Sequence, residues 1–90
     1  LHEHRVTAYL EAHVRGLGVS VERQPVAPGR DNLLAVYDPP GTPPFTTVFE
    51  AHQDTVPVDG MTVEPFGARI GGGKLYGRGA CDVKAGGAVM

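Results

Sequence analysis

The sequence predicts an α/β fold, and three observations predict it. Apolar residues recur at helical spacing near the start, short alternating or continuously apolar runs follow, and the last eight residues become helical in pattern again. The order read along the chain is helix, three strands, hairpin, loop and start of a helix. The strands are expected in a mixed or parallel sheet, as usual when helices and strands alternate.

Each element has a local reason. Residues 3–17 carry Val6, Leu10, Val14 and Leu17 at spacings of three and four, which line one face of a helix. Glu11 and Arg15 form an i,i+4 pair in the favourable orientation, and Gly18 supplies a left-handed cap. His4 is read as solvated and His13 as packed beside the apolar stripe. Residues 19–23 alternate as a strand does, and Pro25 and Pro28 are expected to end it. Residues 32–37 form a second, more continuously apolar strand. Four prolines in 38–44 make a rigid connection, because each fixes φ and removes a ladder donor. Residues 45–51, rich in Phe, Thr and Val, suit a third strand. Ala68-Arg69-Ile70 and Lys74-Leu75-Tyr76 flank Gly71-Gly72-Gly73 as a hairpin. Residues 77–82 form a glycine-dense loop, and a helix starts at Val83. That helix has no stop signal before Met90, and the chain begins with Leu1. The expectation is therefore a fragment of a longer chain.

Composition narrows the function classes. Ninety residues allow one small domain. A net charge of −2 gives no basic footprint for nucleic acid. The single cysteine, Cys81, cannot form an internal disulfide. No apolar run reaches the roughly 18 residues of a membrane span, and no signal peptide is visible, so a cytoplasmic location is the default. Nine of the thirteen glycines lie from Gly60 onward, so glycine marks one region and not general disorder.

Two segments can carry chemistry. In Glu50-Ala51-His52-Gln53-Asp54-Thr55-Val56-Pro57, His52 and Asp54 are two apart at a strand end and share a face. Ligands of open α/β sheets collect at such ends. A neutral His there is a metal ligand, and a nearby Asp can hold its other N–H; an ordinary solvated turn is the competing reading. In Gly77-Arg78-Gly79-Ala80-Cys81-Asp82-Val83-Lys84-Ala85-Gly86-Gly87, Asp82 is either a helix N-cap or a metal ligand in a backbone that glycine permits. Phosphate-loop patterns fail. The Walker spacing puts Ala68 where its first glycine belongs and Leu75 where Ser or Thr belongs, and the dinucleotide spacing puts Asp82 at its third glycine. Nothing in the sequence pairs Cys81 with a base, so it is read as a small buried hydrophobe.

Taken together, the two segments resemble the co-catalytic zinc amidohydrolases and peptidases. Their first motif runs roughly [ST]-G-H-x-D-x-V-P, with Ala51 here in place of the usual Gly. Their second runs G-x-[LI]-[YW]-G-R-G-[AST]-x-D-[MD]-K-G-G and is matched from Gly73 to Gly87, and Pro65-Phe66 between the two also fits. The resemblance implies a zinc-peptidase-like catalytic domain, of which residues 1–90 are an N-terminal part without the lid and dimerisation domain. It implies that His52 is a metal ligand, that Asp82 bridges two metals, and that Asp54 is a catalytic residue that orients and polarises His52. It also implies a cis peptide between Asp82 and Val83. The cofactors would be two divalent ions, Zn²⁺ first, with Co²⁺ or Mn²⁺ as alternatives. The reaction would be hydrolysis of an amide in an N-acyl amino acid or small peptide by metal-activated water, with neither nucleic acid nor membrane as partner and a homodimer for the full-length parent. The general-base Glu and the remaining ligands fall outside this sequence, so residues 1–90 alone are expected to be inactive. A small non-catalytic binding module that reuses the two motifs is the alternative.

Overall fold

The computed structural model describes residues 3–42 and 44–90. The chain divides into two compact units, one ending at Val48 and the other beginning at Phe49.

In the first unit, helix α1 (His4–Gly16) precedes strands β1 (Ser20–Ala27) and β2 (Arg30–Val36). The two strands form an antiparallel pair that runs from Ser20 opposite Val36 to Ala27 opposite Arg30. Pro28 and Gly29 make the connection, with Gly29 at φ 72°. Proline followed by a positive-φ glycine is the type II turn signature. Pro25, expected to end β1, lies within it. The ladder is irregular between Pro25 and Ala27, as expected where proline lacks the N–H to continue it.

The predicted helical stripe holds at three of its four positions. Val6, Leu10 and Val14 are partly covered, whereas Leu17 is 68% exposed. The deepest helical side chain is Thr7, at 1% exposure. Its hydroxyl donates to the Glu3 carbonyl at 3.2 Å, satisfying the polar group that burial would otherwise penalise. Val21 on β1 is the only buried apolar side chain among the described residues. His13 is exposed, not packed in a core, and its ring stacks on exposed Tyr9. His4 is solvated as expected. Gly18 caps α1 at φ 79°, its N–H donating to the Arg15 carbonyl at 3.0 Å.

Charged side chains tie helix to hairpin. Glu11 pairs with Arg15 at 3.0 Å and with Arg23 of β1 at 2.6 Å, and Arg23 also reaches Asp31 of β2 at 3.2 Å. Arg15 donates to the Val21 carbonyl, and Arg30 pairs with Glu3. The two arginines hold the Glu11 carboxyl below its usual range, Arg23 the more strongly.

In the second unit, strands β3 (Arg69–Gly71) and β4 (Lys74–Tyr76) form an antiparallel hairpin. Gly72 and Gly73 both take positive φ, as a two-residue type I′ turn requires. Residues 80–84 make one irregular helical turn, interrupted at Asp82 and Val83, before the short helix α2 (Ala85–Val89). Residues 45–51, predicted as the third strand, belong to neither strand pair. Both pairs among the described residues are antiparallel, so the expected parallel sheet is absent from them. A strand needs a ladder partner as well as propensity, and residues 45–51 find none here. Pro43 of the predicted rigid connection lies outside the described residues. No described helix is long and apolar enough to cross a membrane.

Candidate metal centre

Three sequence-predicted residues, His52, Asp54 and Asp82, come together in the second unit. The Nε2 atom of His52 stands 2.9 Å from Oδ1 of Asp82, thirty positions later. On the other side of the ring, Nδ1 faces the Asp54 carbonyl oxygen at 3.1 Å and the Asp54 carboxylate at 3.2 Å. All three side chains are exposed.

The imidazole therefore has an acceptor at each nitrogen. Asp82 first, then the Asp54 backbone, favours the protonated ring and raises the His52 pKa above its ordinary value. Asp82 does not cap a helix. Lys84 occupies the N-cap position of α2, and no side chain caps either helical turn.

The backbone shows how two distant loops present these groups. Gly79 lies at φ 74°. A Cβ there would stand 2.6 Å from the Thr55 methyl, so position 79 needs both the left-handed backbone and the missing side chain. The Asp82–Val83 peptide is cis, as the resemblance implied. Lys84 Nζ donates to the Gln53 carbonyl at 3.0 Å, inside the His52–Asp54 segment. Ala51, which departs from the motif, faces Gly87. A Cβ at Gly87 would stand 3.6 Å from the Ala51 methyl, an ordinary contact, so Ala51 does not crowd that glycine. Pro65 and Phe66 also find a role. The Pro65 carbonyl accepts the Arg78 N–H at 2.8 Å, and the Arg78 guanidinium lies over the Phe66 ring at 5.2 Å. These contacts fix the approach to the second loop.

An imidazole nitrogen and a carboxylate oxygen that converge, with the ring's far side facing the Asp54 backbone carbonyl and its nearby carboxylate, fit one edge of a divalent-metal shell. Among the described residues no group of three or more His, Cys, Asp or Glu is arranged to hold a metal ion. Cys81 is exposed, not buried as the sequence suggested.

The family model for peptidase family M20/M25/M40 matches residues 48–90. Residues 48–90 thus resemble a segment of the M20 family. Succinyl-diaminopimelate desuccinylase of Rhodospirillum centenum is 40% identical over 86 residues, covering 91% of this chain and 21% of the relative. The enzyme of the same name from Variovorax paradoxus is 54% identical over 57 residues, covering 59% of this chain and 15% of the relative. Aminoacylase-1 of Sus scrofa is 37% identical over 82 residues, covering 86% and 20%. The chain thus spans about a fifth or less of the length of these curated relatives. No solved structure matches it. The M20 match begins within one residue of the boundary between the two units, and it contains His52, Asp54 and Asp82.

Sequence reasoning missed Lys84 and Thr55 as parts of the site. Both lie inside the matched motifs, but their contacts join residues far apart in the chain and leave no periodic signal.

Proposed function

We propose that this chain supplies part of a dinuclear-metal centre in an amidohydrolase that cleaves the amide of an N-acyl amino acid or small peptide. The single observation carrying the reading is the meeting of His52 Nε2 with Asp82 Oδ1 while Asp54 holds Nδ1. The names of the desuccinylase and aminoacylase relatives support an acylated amino acid as substrate.

His52 would ligate one metal, and Asp82 would be the carboxylate shared between two. With a metal in place of the Asp82 contact at Nε2, Nδ1–H would donate to Asp54, through its backbone carbonyl and carboxylate, which would fix the tautomer that ligates through Nε2 and raise the basicity of the ring. When bound, divalent ions would polarise the scissile carbonyl and lower the pKa of the attacking water. The sequence has no Glu-Glu pair to move a proton from that water to the leaving amine. Such a catalytic zinc keeps three protein ligands and an open position, and His52 with Asp82 offers two. The remaining ligands and the base are assigned to the part of the relatives that this chain does not span, together with the lid and dimerisation domain.

The test has two arms. With Zn²⁺ or Co²⁺, residues 1–90 should not hydrolyse N-succinyl or N-acetyl amino acids. In a longer chain carrying the segment, Asp82→Ala should abolish turnover, while Asp54→Ala should lower it by about 10–100-fold with metal partly retained. Full activity in the Asp82→Ala enzyme would overturn the bridging role.

A further inference from the structure

Beyond the candidate ligands, the second unit holds a contact that joins their two loops. Lys84 lies two residues after Asp82, and its ammonium donates to the Gln53 carbonyl at 3.0 Å, thirty-one positions away. Gln53 lies between His52 and Asp54. The bond therefore reaches the middle of one half of the site from the edge of the other.

A second contact supports the same junction from the opposite end of the loop. Gly79 comes so close to Thr55 that no side chain fits between them. Within the Gly79–Lys84 turn, the Lys84 N–H donates to the Gly79 carbonyl at 3.0 Å. Gly79 and Lys84 are thus bonded to each other, and each also touches the His52 loop, one at Thr55 and the other at Gln53. His52 and Asp82 are exposed and belong to no strand, so no sheet register holds them at their separation.

We propose that Lys84 is a positioning residue, acting through the Gln53 carbonyl to hold the His52 ring against Asp82. It does not ligate, and as a cation it would repel a metal. Its ammonium is engaged on a backbone carbonyl, which keeps the Gln53 peptide oriented and leaves His52 and Asp54 to face the site. The proposal rests on the reading of His52 and Asp82 as metal ligands, and its test separates the two ideas.

The 90-residue chain is titrated with Zn²⁺ while the His52 ring resonances are followed by NMR, with His52→Asn supplying the assignment. In the metal-free chain, ring contacts between His52 and residues 82–83 are measured by NOE. Lys84→Met should weaken Zn²⁺ binding at His52 by about tenfold or more, the scale expected when a supporting partner of a ligand is removed, and should lose the NOE contacts. Lys84→Arg, which can still donate to a carbonyl, should recover both at least in part. Lys74→Met, which removes a charge from exposed β4 without touching the junction, should change neither.

Unchanged affinity and NOEs in Lys84→Met would overturn the proposal, as would equal losses in the Met and Arg variants. Should Lys84→Met fail to fold by circular dichroism, Lys84→Gln replaces it. Retention of wild-type affinity and NOEs in the shorter, uncharged variant would then overturn the role of the ammonium. Should the two-ligand wild-type chain take no Zn²⁺ at His52, the NOE comparison in the metal-free proteins decides alone: lost contacts in Lys84→Met support the positioning role, and unchanged contacts overturn it.

Discussion

At the residue scale, Gly79 carries the sharpest constraint. It combines a left-handed backbone with a 2.6 Å approach to the Thr55 methyl by any added Cβ. The left-handed conformation alone costs an L-residue about 1–2 kcal/mol, and the steric conflict adds to it. Gly79→Ala should therefore lower stability by more than that backbone cost, measured by denaturant unfolding. Thr55→Ser in the same chain should restore only the steric part, because it removes the methyl and leaves φ unchanged. Full additivity of the two substitutions would show that the methyl contact does not matter. This constraint was half legible in the sequence. A glycine-dense loop ahead of an acid signals an unusual backbone, but which glycine touches which residue depends on the other loop. His52 and Asp82 show the same limit. Each alone reads as a solvated turn or a cap, and only the joint motif predicts that they meet.

At the element scale, α1 and the β1–β2 hairpin are joined by charge more than by apolar packing. Glu11 is the hub, with its carboxyl pKa lowered first by Arg23 and then by Arg15. A carboxylate whose pKa is depressed in the folded state contributes stability that is complete above its unfolded pKa and is lost as pH falls through the folded one. The first unit should therefore lose helix content as pH drops below about 4.5, the ordinary value for Glu11. Glu11→Gln should remove this part of the acid dependence and lower the neutral-pH melting temperature, while changing the pH 3 value far less. Both are measured by circular dichroism. Equal effects at the two pH values would rule out the carboxylate. The helix, its glycine cap and the Glu11–Arg15 pair were legible because all are local. The Glu11–Arg23–Asp31 chain was not, since it depends on how helix and hairpin fold back on each other. The 45–51 strand fails for a related reason. Its Phe, Thr and Val content expresses propensity, whereas a strand is defined by a partner.

At the scale of the whole molecule, little apolar surface is covered. Val21 alone is buried among the described apolar residues, while Phe45, Val48, Phe49, Phe66 and Ile70 are each more than two-thirds exposed. Such surface binds hydrophobic dyes and marks interaction sites in folded proteins. The isolated chain should enhance the fluorescence of anilinonaphthalene sulfonate at neutral pH, and Phe45→Ser with Phe49→Ser should reduce it. No enhancement in the wild type would mean that these side chains are covered in solution. The division at Val48 and Phe49 also affects how the chain comes apart. Two aromatic side chains favoured by chymotrypsin, Phe45 and Phe49, lie in the open beside that division. Nicking after Phe49 would release an N-terminal peptide bearing the Glu11 network. His52, Asp54, Asp82 and Lys84 would all remain on the other product, so the chemistry assigned to this chain could be carried away intact by a single cut.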